Sequence, residues 1–136
     1  MPEVSVNYLA VLVAAIVNMI IGALWYSPLL FGKSWMGLVG KSEEDLRKEN
    51  SPIPYIIAFV SSLIMAYVLS HIIDYIYADS ILEGLQAGFW SWLGFTATTF
   101  ATNYAFQRQS TKLYLIDALY YLVGLLVMGI ILAVWA

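Results

Sequence analysis

Long runs of apolar residues, separated by three short polar stretches, set the pattern of this chain. The first run covers about 6–30 and holds no charged residue; the others cover about 53–75, 85–106 and 113–135. About 20 helical residues cross a hydrocarbon core of about 30 Å. A membrane β-barrel would instead show alternating polarity in strands of about 10 residues, and helices or closed barrels are the only ways to satisfy the backbone in lipid. The pattern predicts an all-α fold: a four-transmembrane-helix up-and-down bundle, both termini extracytoplasmic. The chain, 1–136, reads as a single integral membrane domain with a cytoplasmic connection at 31–52. The start, Met1-Pro2-Glu3, has no basic residue and the first run is long, so this helix is expected to stay in place rather than be cleaved as a signal peptide.

Helices in a bilayer associate through small residues that let backbones approach. In the third run, at about 100° per residue, Ala87, Ser91, Gly94, Thr98, Ala101 and Ala105 fall near one line, with Gly84 beside it. Gly84, Ala87, Gly94, Ala101 and Ala105 are the predicted helix-contact face. The first run repeats Ala10, Ala14, Asn18 and Gly22, which turns the Asn18 amide toward protein. Asp117, Tyr121, Gly124 and Met128 form a comparable stripe in the fourth. Ahead of the longest connection, Pro28 should kink or end the first helix near its inner end. Ser42 followed by Asp45 reads as a capping box opening a short helix over 43–49.

Composition supports the membrane reading: 62% of residues are hydrophobic and 11% charged, against about 25% charged in soluble domains. An ordinary soluble enzyme is excluded. The six bases fall at Lys33, Lys41, Arg47 and Lys48, and at Arg108 and Lys112, which places both connections on the cytoplasmic side. The expected location is the prokaryotic cytoplasmic (inner) membrane. A net charge of −3 gives no reason to expect a nucleic-acid partner. With no cysteine, thiolate chemistry and disulfides are excluded.

Asp117 is the ionisable residue set deepest in a span, and such residues are functional candidates by default. Its expected partner is Arg108, with Lys112 at the same level, in an ion pair joining the third and fourth helices. Asn18, Ser91, Thr98, Asn103, Asp117 and Tyr121 are the candidate polar lining or packing residues. His71 and Asp74, with Asp79, Glu83 and Glu3 nearby, form an acidic outer rim; one histidine is too little to assign a metal. No pairing of nucleophile and base, phosphate loop or metal motif appears. Neither a catalytic role nor a cofactor is expected.

The segments Asn7-Tyr8-Leu9-Ala10 and Gly22-Ala23-Leu24-Trp25-Tyr26-Ser27-Pro28-Leu29-Leu30-Phe31-Gly32-Lys33-Ser34-Trp35-Met36 resemble a family of small prokaryotic membrane proteins of unknown function. Trp92-Leu93-Gly94-Phe95, Asn103-Tyr104-Ala105-Phe106 and 113–129 are similar to that family's third and fourth helices. The resemblance implies four helices and supplies no reaction. The family pattern has an asparagine where this chain has Asp117. Small multidrug exporters share the size, but the first helix here lacks their membrane-embedded glutamate. Two classes of function remain open: a homo-oligomeric channel or carrier for a small solute, or a structural or accessory subunit packing against other integral membrane proteins through its small-residue faces.

Overall fold

The computed structural model describes residues 3–135; Met1, Pro2 and Ala136, on which part of the reading of the termini rests, lie outside them. Helix α1 (Tyr8–Trp25) opens with the Asn7 side chain accepting from the Ala10 amide. It stops short of residue 30 because Pro28 has no N–H and disfavours helical geometry at Ser27. The chain then folds back tightly enough that a Cβ on Gly32 would strike the Tyr26 carbonyl oxygen. Helix α2 (Gly32–Val39) ends at Gly40, whose φ of 73° lies in the left-handed region that glycine adopts freely.

Helix α3 (Glu43–Lys48) starts with the full capping box that the Ser42/Asp45 spacing predicts. The Ser42 hydroxyl accepts from the Asp45 amide at 3.1 Å, and the Asp45 carboxylate accepts from the Ser42 amide at 3.0 Å. These bonds hold the Asp45 carboxyl below its usual range, the backbone bond to Ser42 contributing most. A depressed folded pKa gives stabilisation that is present above the unfolded pKa and lost as pH falls through the folded one. Helix α3 is therefore expected to fray when acidified below the ordinary aspartate range near about 4. Ser42→Ala should fray it at neutral pH, and backbone chemical shifts over 43–48 read both.

Helix α4 (Ile53–Tyr75) begins where Pro52 and Pro54 suit a first turn. Helix α5 (Ile81–Ser91) runs without a break through a π-helical segment (Trp92–Ala97) into α6 (Thr98–Phe106). Helix α7 (Thr111–Val134) completes the fold. The α4–α5 and α6–α7 turns are built alike. Tyr77 and Arg108 take positive φ, 56° and 57°, closing Schellman motifs through Ala78 N–H to Ile73 O and Gln109 N–H to Tyr104 O. Ser80 and Ser110 then cap the next helices.

Helix α7 is central, with α5, α1 and α4 packed on it. Ala10, Ala14, Ala66, Leu69, Ile73, Met128 and Leu132 form the buried core. The opposite side of α4 leaves Ile53, Ile56, Val60, Ile64 and Val68 exposed, a continuous apolar stripe, as a lipid-facing helix requires. Among the described residues three helices are long and apolar enough to cross a membrane: α1, α4 and α7.

The π segment corrects the predicted contact face of the third run. Its wider turn inserts a residue into the helical repeat, so the side facing α7 passes through Gly84, Gly88, Trp92 and then Ala97. Gly84, Ala87 and Gly88 are buried against α7, and a Cβ on Gly84 or Gly88 would land on the carbonyl oxygens of Gly129 and Leu125. Past the π segment the expected stripe has rotated outward. Gly94, Thr98, Ala101 and Ala105 are exposed, and nothing lies within 4 Å of a Cβ built on Gly94.

Candidate functional site

Asp117 lies in the second turn of α7, half-buried, between the end of α1 and the face of α6. The Tyr26 hydroxyl donates to its Oδ1 at 2.7 Å, and the Tyr104 hydroxyl donates to Oδ2. One carboxylate thus ties together residues from both halves of the chain. The expected ion pair with Arg108 is not formed. Arg108 occupies the left-handed position of the α6–α7 turn with its side chain exposed, while the tyrosines already fill the approach to the carboxylate. Among the described residues the salt bridges are Lys41 with Glu49 and Lys48 with Glu44, both in the connection before α4. Among the described residues Asp117 has no basic partner.

The backbone on either side of Asp117 is gripped as well. The Trp25 indole N–H donates to the Ile116 carbonyl at 2.9 Å, and that of Trp92 to the Ala118 carbonyl at 2.7 Å. The Tyr114 hydroxyl donates to the carbonyl of Ala97, the last π-segment residue, at 2.9 Å. These are bonds to helix carbonyls, so they fix the rotation of α7 relative to α1 and the π segment.

Aromatic rings complete the surroundings. Tyr26 meets Tyr120 edge-on at 5.7 Å, Tyr120 meets Tyr121 at 4.8 Å, Tyr121 meets Phe100 at 5.4 Å, and Phe100 stacks on Tyr104 at 5.7 Å. Asp117, bonded to both Tyr26 and Tyr104, closes this circuit of five rings. Trp35 of α2 packs edge-on against Tyr26 at 5.8 Å.

Deeper along α1, Asn18 is 1% exposed and donates from Nδ2 to the Ser62 hydroxyl at 2.9 Å. Its backbone carbonyl accepts from Tyr120 at 3.1 Å, linking it to the ring circuit. The side-chain Oδ1 has no hydrogen-bond partner among the described residues and lies against Gly124, where a Cβ would collide with it. Gly124→Ala is expected to push the amide off Ser62 and to lower the unfolding midpoint in detergent, whereas Gly37→Ala, in open space, should leave it unchanged.

Of the other sequence candidates, Tyr121 is half-buried within the ring circuit, while the rest lie apart from it. Ser91 is half-buried before the π segment. Thr98 and Asn103 face outward; the Thr98 hydroxyl donates back to the Gly94 carbonyl at 2.8 Å. His71 sits between the rings of Tyr67 and Tyr75, and among the described residues no three His, Asp or Glu side chains are placed to hold a metal. A cleft of about 430 Å³ opens at the far end between α1, α4 and α7, lined by Asn7, Ser70, Asp74 and Trp135. Between it and Asn18 lie the buried Ala14, Ala66, Leu69 and Met128.

Sequence reasoning missed Tyr26, Tyr104 and Trp25 as partners of α7, since aromatics near helix ends read as interfacial belts, and missed Trp92 because it falls opposite the small-residue face at a fixed 100° per residue. It also missed Gly88, although Gly84 and Gly88 stand at the four-residue spacing of close helix contacts. Residues 9–133 match the family model described as "Protein of unknown function (DUF1761)". No curated protein and no solved structure matches the chain.

Proposed function

The chain belongs to the DUF1761 family of proteins of unknown function, so no activity comes with membership, and we propose that it is a four-span carrier or channel for a small solute. In this reading it resides in the prokaryotic cytoplasmic membrane and works as a homo-oligomer. The observation that carries the proposal is Asp117: a carboxylate within a span, held by two tyrosine hydroxyls and without a counter-ion among the described residues. Burying an uncompensated charge is costly, and a purely structural tie has no need of one.

The fourth span is residues 81–106. Helical geometry continues through the π segment, and the Thr98, Thr99 and Thr102 hydroxyls donate to carbonyls of their own helix, which lowers the cost of placing them in lipid. The bases at Lys33, Lys41, Arg47, Lys48, Arg108 and Lys112 put the Asp117 end in the cytoplasm. Two features support assembly of several copies. The packed residues between Asn18 and the outer cleft leave little room for a path inside one chain, and α6 turns Gly94, Thr98, Ala101 and Ala105 outward as a surface fit for another helix. The second reading, an accessory subunit, uses the same outward face against a different membrane protein. No enzymatic role is proposed.

Proteoliposome swelling tests the first reading, with glycerol, urea, glycine and ethanolamine as solutes and conductance for sodium and potassium. At least one solute should enter faster than in protein-free vesicles, and Asp117→Asn should return its rate to the protein-free value. Protein-free rates for all of them, with a stable hetero-complex on gentle extraction, would establish the accessory reading instead.

A further inference from the structure

We infer that Asp117 and the rings around it form a binding site for an organic ammonium ion. The carboxylate lies at a half-buried position and forms no salt bridge with a base among the described residues. Each of its oxygens accepts one tyrosine hydroxyl, and a carboxylate has about four acceptor positions, so about two stay open. Tyr26 and Tyr104, which bond to it, belong to a continuous circuit of rings that runs on through Tyr120, Tyr121 and Phe100, with Trp35 beyond Tyr26.

That combination selects among cations. Calcium takes about 6–8 oxygen ligands, and no group of three metal-holding side chains exists among the described residues. Alkylated ammonium ions bring a diffuse charge and apolar substituents, which aromatic faces attract and a nearby carboxylate neutralises. The rival account makes the Tyr26–Asp117–Tyr104 link a structural clamp only. A clamp needs an acceptor and no charge, so asparagine would serve it; an ammonium site needs the charge. The two accounts therefore differ at Asp117→Asn.

The indole N–H groups of Trp25 and Trp92 are natural reporters, since they bond to the carbonyls on either side of Asp117. The full chain, nitrogen-15 labelled and placed in phosphatidylglycerol nanodiscs, is titrated with tetramethylammonium chloride against matched sodium chloride. Saturable shifts are expected at Trp25, Trp35 and Trp92, with Trp90 and Trp135 unmoved and sodium without effect. Asp117→Asn should weaken the affinity at least about tenfold while keeping the remaining spectrum. Tyr121→Leu, which leaves both bonds to Asp117 in place, should weaken it too.

Phosphatidylcholine nanodiscs separate two sources of the same chemistry. If a lipid headgroup is the occupant, the reporters start in their shifted positions and tetramethylammonium adds nothing; if a free solute is, both discs titrate alike. Absence of saturable shifts in phosphatidylglycerol, or equal affinity in Asp117→Asn or Tyr121→Leu, overturns the inference. It rests on reading Asp117 as a solute site, and the two fail separately. Swelling without these shifts overturns the ammonium class alone, whereas shifts without swelling leave the binding site standing and overturn transport.

Discussion

Replacing Gly129 by alanine should destabilise the bundle by about 3 kcal/mol, the upper end of what one extra buried carbon costs in a packed core. The reason is the α5–α7 contact, where two backbones touch without intervening side chains. A Cβ on Gly129 would fall on the Gly84 carbonyl oxygen, and one on Gly84 would fall on the Gly129 carbonyl oxygen. No flexible side chain is there to swing away, so the helices themselves must separate. Separation would also weaken the contact at Gly88 and Leu125 one turn along. The control is Gly94→Ala, on the continuous helical run that carries Gly84 and Gly88, where the added carbon meets nothing within 4 Å. Its effect should stay within about 0.5 kcal/mol, as for other surface changes. Reversible unfolding in mixed detergent, read by circular dichroism, compares the two. Equal stability of both variants would mean that α5 and α7 do not meet as described.

Asp117→Ala is the second large effect, expected at about 3 kcal/mol because two hydrogen bonds to a charged acceptor disappear together. Tyr26 and Tyr104 are both left without that acceptor, and α6 loses a tie to the rest of the bundle through its face near the connection to α7. Asp117→Asn keeps a carbonyl oxygen for one tyrosine and offers an amide to the hydroxyl oxygen of the other, so its cost should be nearer about 1 kcal/mol. The same unfolding assay gives this order. Stability and solute handling should therefore part company: asparagine preserves the fold and abolishes the charge-dependent function, while alanine damages both. If the asparagine variant were as unstable as alanine, charge itself would be holding the helices and the functional reading of Asp117 would lose its basis.

Much of the architecture is legible in the chain because apolar run length and capping chemistry are local properties. The small-residue stripe of α1 turns Ala10, Ala14 and Asn18 inward, and the α3 capping box follows from two residues three apart. The third run is different. Its predicted face holds over Gly84 and Ala87 and fails from Gly94 onward, because a π-helical turn changes the repeat and nothing in Trp92-Leu93-Gly94-Phe95-Thr96-Ala97 announces it at a fixed 100° per residue. The environment of Asp117 was illegible for another reason. Its hydroxyl donors come from Tyr26, 91 positions earlier, and Tyr104, 13 earlier. Charge complementarity favoured Arg108, close in sequence, but the turn that reverses the chain spends that residue on backbone geometry and leaves its side chain outside.

The mixed character of 81–106 makes it the decisive segment. It carries hydroxyls and an exposed Asn103, and unlike α1, α4 and α7 it does not form a single α-helix long enough to cross a membrane. Whether it crosses decides on which side Asp117 opens. Since the chain has no cysteine, single cysteines placed at Asp79 and at Gln109, both exposed, can be labelled in intact cells with a membrane-impermeant maleimide. The account predicts that Asp79→Cys reacts from outside while Gln109→Cys reacts only after the membrane is opened. Labelling of both from the same side would contradict four spans, and labelling of Gln109→Cys from outside would contradict the placement of Asp117 at the cytoplasmic end.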